Sequence, residues 1–132
     1  MVNIYPFDPL TPDEILAAVS ILRGSKKVQE SMRFVAIQLH EPNKQFVLDY
    51  EMDGVCKRQI FFVILDRADG KTYEAVVSIT EEKISSLKYI PGVQPSLIVD
   101  EFIDCEQIVK NEPQVRAALQ KRGVTDFSLV MV

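Results

Sequence analysis

Gln59-Ile60-Phe61-Phe62-Val63-Ile64-Leu65, then Asp66-Arg67-Ala68-Asp69-Gly70-Lys71, then Thr72-Tyr73-Glu74-Ala75-Val76-Val77-Ser78-Ile79-Thr80: this stretch decides the fold. It reads as a β-hairpin. The first arm is apolar on both faces, Ile60, Phe62 and Ile64 against Phe61, Val63 and Leu65, which suits a central strand covered on both sides. The second arm alternates, with Tyr73, Ala75, Val77 and Ile79 on one face and Glu74, Val76 and Ser78 on the other. Gly70 in the joining loop supplies the positive φ that such loops often require. Nothing in the hairpin is chemically reactive.

Upstream lies a helix whose start is written out in full. Met1–Leu10 is expected to be extended, since Pro6 and Pro9 discourage helix. Thr11 is the cap, Pro12 the first helical residue, and Asp13 and Glu14 load the first turn with negative charge. Thr11 and Glu14 form the capping-box pattern. Ile15, Leu16, Val19 and Leu22 repeat at helical spacing as the apolar face, and Gly24 is expected to end the helix Thr11–Arg23 in a left-handed conformation.

Between helix and hairpin, Ser25–Ser31 reads as a solvated linker and Arg33–His40 as a strand with Val35, Ile37 and Leu39 on one face. Glu41-Pro42-Asn43-Lys44 is turn chemistry. Gln45–Glu51 reads as a returning strand, with Phe46, Leu48 and Tyr50 alternating, and Asp53-Gly54 as a further turn. After the hairpin, Glu81–Ile90 opens on a charged turn and continues as a short strand through Ile84 and Leu87, closed by Pro91-Gly92. One helix and about five strands in meander order imply an α+β fold, a helix laid across an antiparallel sheet.

After Pro95 the pattern changes. Val99–Asn111 is expected to be helical, with a stripe of Ile98, Phe102, Cys105 and Val109 and with Asp100 and Glu101 in its first turn. A second helix starts at Pro113, carries Val115, Ala118 and Leu119, and stops at Gly123. Phe127–Val132 reads as the beginning of a strand. Two short helices and one strand do not close a core, so this second domain reads as partial. It is expected to dock onto the first domain or onto another copy of the chain, which would cover Phe102, Leu119 and Leu129–Val132.

Composition narrows the function. The 132 residues are 47% hydrophobic and 26% charged with a net charge of −4, which suits a globular domain and leaves no basic stripe for nucleic acid. No apolar run reaches membrane-spanning length, and Met1–Leu10 shows no secretory leader, which favours the cytoplasm. Cys56 and Cys105 read as reduced, partly buried thiols sooner than as a disulfide. The single histidine, His40, has no second imidazole to share a metal with. Neither cysteine has a local histidine to activate it. Glu81-Glu82 sits at a turn and Asp100-Glu101 at a helix start, where solvation or the helix dipole accounts for them. No catalytic, cofactor-binding or metal-binding residue is assigned on these grounds.

Several motifs, in order, carry a family resemblance. Phe7-Asp8-Pro9-Leu10-Thr11-Pro12-Asp13-Glu14-Ile15 resembles the start of the second N-terminal domain of copper-containing primary amine oxidases. Lys88-Tyr89-Ile90-Pro91-Gly92-Val93-Gln94-Pro95 resembles the junction to the third domain. Glu101-Phe102 with Cys105-Glu106, then Pro113 to Lys121-Arg122-Gly123-Val124, resembles that third domain's opening helices. The resemblance implies small cystatin-like α+β domains, residues 1–93 and a truncated 94–132. They would lie at the periphery of a homodimeric enzyme that oxidises primary amines to aldehydes with release of ammonia and hydrogen peroxide. It further implies copper held by three histidines and a tyrosine-derived quinone, both in a C-terminal catalytic domain of the same polypeptide. Leu48-Asp49-Tyr50-Glu51 is similar to the sequence around the cofactor tyrosine, but aspartate stands where asparagine is expected, and Tyr50 reads as a strand aromatic. The alternative expectation is a free-standing α+β protein-interaction module.

Overall fold

A computed structural model describes residues 5–50 and 56–132, and the chain divides into two units, Met1–Pro95 and Ser96–Val132. The Asp53-Gly54 turn and Met1–Ile4 lie outside the described residues. In the first unit, helix α1 (Pro12–Gly24) precedes strand β1 (Met32–Leu39), a short helix α2 (Lys44–Leu48), and strands β2 (Gln59–Asp66), β3 (Lys71–Ser78) and β4 (Lys83–Ile90). The four strands form one antiparallel sheet in the order β1-β2-β3-β4. The architecture is α+β, with the 59–80 hairpin at its centre.

The hairpin pairs in full register, from Gln59 opposite Ser78 to Asp66 opposite Lys71. In its loop Gly70 takes φ +73° and donates its N–H to the Asp66 carbonyl at 2.8 Å. Ile60, Phe62 and Ile64 are completely buried, as are Ala75 and Val77 across from them. These side chains, with Ala18, Leu22, Val28 and Met32, form the core. Coverage on both faces is not what β2 receives: Phe61 and Val63 on the second face stay half-exposed, and only Leu65 is buried there. A second apolar face is compatible with strand propensity alone.

The capping box of α1 is formed in both directions: Thr11 N–H donates to Glu14 at 2.8 Å, and Glu14 N–H donates to the Thr11 hydroxyl at 3.2 Å. The helix presents Ala18 and Leu22 to the core, flanked by Val19 and Ile21. Leu16 is not on that face; it is 64% exposed, because the residues that pack on the core are Ala18, Val19, Ile21 and Leu22. Gly24 remains helical, Ser25 caps, and the left-handed residue is Lys26 at φ +59°.

The linker is also less solvated than its lysines suggest. Val28 is buried, and the Arg23 guanidinium donates to the carbonyls of Gln29 at 2.7 Å and Met32 at 3.0 Å while lying 4.7 Å over the Phe34 ring.

Two β-bulges change which residues face inward. In β1 the register skips Val35, so Phe34 and Ile37 turn to the core where simple alternation places Val35 and Ile37. In β4 it skips Ser85, which puts Ile84 and Leu87, three residues apart, on the same face. The expected returning strand Gln45–Glu51 is instead α2: Asn43 accepts the Phe46 N–H at 2.8 Å as a side-chain cap, and Gln45 donates to Asp49 at 2.9 Å one turn on. That local capping competes directly with ladder formation. Among the described residues the sheet has four strands, one fewer than the pattern of alternation implied.

In the second unit, α3 (Val99–Asn111) and α4 (Pro113–Lys121) form as the sequence predicts. Glu101 accepts the Ile98 N–H at 2.9 Å at the start of α3. Gly123, at φ +82°, ends α4, with the Val124 and Gly123 N–H groups donating back to Leu119 and Gln120. Phe127–Val132 does not begin a strand: Phe127–Leu129 is a 3-10 turn, with Asp126 accepting the Ser128 N–H and Arg116 stacked 4.3 Å over Phe127. No described residue of this unit is buried; Phe102 is 62% and Leu129 80% exposed.

Candidate functional site

The most completely assembled polar cluster in the first unit surrounds Arg58, just before β2. Its side chain is 6% exposed. Nε donates to Glu14 Oε1 at 2.8 Å and Nη2 to Glu14 Oε2 at 3.2 Å, a bidentate pair. The same guanidinium reaches the carbonyls of Pro9 at 3.3 Å and of Tyr5 and Pro6 at 3.5 Å. Its backbone N–H donates to the Thr80 hydroxyl at 3.1 Å, and its carbonyl accepts the Ile79 N–H at 3.0 Å. Tyr5 to Asp8 is a turn, closed by mutual bonds between the two, where a fully extended segment was expected. One cation therefore ties the N-terminal strap, the start of α1 and the β2–β3 hairpin together. Hydrogen bonding from Arg58 is the chief reason that the Glu14 carboxyl is held below its usual range.

This is structural chemistry. The carboxylate is consumed by its partner, and the arginine has no deprotonated form to act as a base. Beside it, the half-buried Cys56 thiol is pushed up, first by desolvation, with Arg58 opposing. Cys105 is exposed on α3. At pH 8 we expect Cys105 to react with Ellman's reagent at least about tenfold faster than Cys56, because desolvation raises the Cys56 thiol and burial limits access to it. Time courses on Cys56→Ser and Cys105→Ser chains distinguish the two sites, and equal rates would contradict the burial of Cys56.

The second feature is a cavity of about 380 Å³ lined by His40, Glu41, Pro42, Asn43, Phe46, Lys57 and Gln59. His40 follows β1 and donates its N–H to the Gln59 carbonyl at 2.9 Å, with its ring stacked 6.4 Å from that of Phe61. Phe46 comes from α2, the element that alternation misread, and its ring lies 6.3 Å from Tyr50. Tyr50 thus belongs to a helix-flanking aromatic pair and not to a strand. Sequence reasoning singled out His40 but missed Lys57 and Phe46, which the α2 turn brings to the same place. The Asn43 cap and the Gln45–Asp49 spacing are the signals that reveal it.

Glu81 pairs with Lys83 at 2.9 Å in the β3–β4 turn, and Glu82 there adopts φ +49°. Among the described residues no group of three or more histidine, cysteine, aspartate or glutamate side chains gathers at one point. The donors present do not fit a copper centre: one imidazole in the first unit and two thiols divided between units. No described helix is long and apolar enough to cross a membrane.

Comparison with known proteins places this geometry. Residues 11–87 match the family model of the AGAO-like N2 domain. The chain is 38% identical over 127 residues, 96% of its length, to the primary amine oxidase of Arthrobacter sp. strain P1. It is 32% identical over 92% of its length to the primary amine oxidase of Klebsiella aerogenes, and 27% identical over 97% to a peroxisomal copper-containing diamine oxidase of Nicotiana tabacum. It spans about a fifth of the length of these relatives, 19%, 16% and 21% respectively.

Proposed function

The chain belongs to the copper amine oxidase family, in its N-terminal region, and from that premise we propose that it is a non-catalytic structural module at the periphery of a copper- and quinone-dependent primary amine oxidase. The observation that carries this reading is the match of residues 11–87 to the N2 domain, within an alignment covering nearly the whole chain but a fifth of its relatives. The activity then belongs to the rest of such a polypeptide: oxidation of primary amines to aldehydes, releasing ammonia and hydrogen peroxide, by a homodimer. Residues 1–93 act as the second domain and 94–132 as the opening of the third. The exposed apolar side chains Leu97, Val99, Phe102, Ile103 and Ile108 support a partial second domain, because helices with such faces call for a further layer.

The test is to read the coding sequence beyond Val132, express the complete polypeptide with copper, and measure bound metal, quinone absorbance and peroxide release from primary amines. The complete protein is expected to show all three and the 132-residue chain none. A chain that forms a quinone alone would overturn the non-catalytic reading. A complete polypeptide without copper-ligand histidines and a cofactor tyrosine would overturn the assignment of activity.

A further inference from the structure

We infer that the cavity between α2 and the start of β2 is a binding site for a small zwitterion with an apolar body, of the class of a free aromatic α-amino acid. The walls carry three kinds of group. Phe46 and Pro42 supply apolar surface, while Glu41 supplies an anion and Lys57 a cation. The Asn43 side-chain oxygen is already committed to capping α2, and the Gln59 amide nitrogen to the Ser85 hydroxyl at 3.4 Å. Glu41 makes no ion pair among the described residues, and the charge of Lys57 adds a little to the lowering of the Glu81 carboxyl, whose own hydrogen-bonded partner is Lys83. A cavity of about 380 Å³ is at the small end of ligand pockets, large enough for one amino acid.

Charge decides between ligand classes. An organic cation gains from Glu41 but is repelled by Lys57, and an organic anion meets the reverse. A neutral aromatic molecule leaves both charges unused. Only a ligand bearing both an ammonium and a carboxylate uses both, with its ring against Phe46 and the imidazole of His40, which is itself stacked 6.4 Å from the Phe61 ring. Glu41 and Lys57 are solvent-accessible, so each contributes as a screened pair.

The experiment is a titration of the isotopically labelled 132-residue chain, followed by amide chemical shifts, with phenylalanine, phenethylamine and 3-phenylpropionate in parallel. Phenylalanine is expected to shift His40, Glu41, Phe46 and Gln59 saturably, with a dissociation constant on the order of 1 mM. Each single-charge analogue should bind about fivefold more weakly. Glu41→Gln should weaken phenylalanine about fivefold and leave 3-phenylpropionate no weaker than before, and Lys57→Met should do the same with respect to phenethylamine. Both substitutions are on the surface and leave the core untouched, so loss of folding does not mimic loss of binding. Absence of saturable shifts up to roughly 20 mM phenylalanine, or equal affinity for the three ligands, overturns the proposal.

Discussion

Arg58→Met is expected to lower folding stability by about 3–5 kcal/mol, the usual cost of removing one partner from a buried ion pair. The loss exceeds that of a surface salt bridge because Glu14, 13% exposed, would keep its charge with no counterion beside it, and three strap carbonyls would lose their donor. Urea unfolding measures the change. Glu14→Gln combined with Arg58→Met should recover part of the loss, since the orphaned carboxylate is gone. Acid gives an independent reading. The Glu14 carboxyl titrates below its usual value of 4.5 when folded, so its stabilisation is complete above that value and is lost as the pH falls through the folded one. Glu14→Gln should therefore shallow the decline of stability below about pH 4.5 and leave the neutral plateau flat. An Arg58→Met chain as stable as the parent would show that the pair contributes nothing to holding the strap.

The second large effect belongs to the hairpin. Phe62 is completely buried, lies 5.3 Å from the Phe34 ring, and sits opposite both Ile37 and Ala75. Phe62→Ala should cost about 3–5 kcal/mol, through lost transfer energy and the void left at the centre of the sheet. Leu22→Ala, on the face of α1 that meets the core, should cost about 2–5 kcal/mol, and Leu16→Ala, on its exposed face, within about 0.5 kcal/mol. The contrast between the two leucines is the sharper check, because it tests the rotation of α1 and not merely its existence. Thermal or urea unfolding of the three variants measures it. A Leu16→Ala loss equal to that of Leu22→Ala would mean that the helix packs on the wrong face.

Much of this fold is written in local chemistry. The box of Thr11 and Glu14, the glycine at position 70 and the uninterrupted apolar run from Ile60 to Leu65 each specify their element without help from distant residues. What escaped did so for physical reasons. Phe46, Leu48 and Tyr50 alternate as a strand would, yet Asn43 offers the backbone a cap at shorter range than any sheet partner. Bulges at Val35 and Ser85 insert one residue without changing composition, so period-two alternation misassigns the side chains after them. The cavity was half legible: His40 stands out as the only histidine, whereas Lys57 and Phe46 reach it through tertiary placement. Arg58 carries no local signature, since its partners Glu14 and Pro9 lie more than forty positions away.

The two skipped residues have a consequence for solubility. Val35 and Ser85 fall on β1 and β4, the outermost strands, and the inner hairpin has none. An outer strand with unbroken spacing offers its free N–H and C=O groups as a template for a neighbouring molecule, and fibrils grow by such addition. A kinked margin spoils the spacing on which that addition depends, and Arg33, Lys83 and Lys88 add like charge to both sides. Crowded chains thus meet margins that do not fit one another.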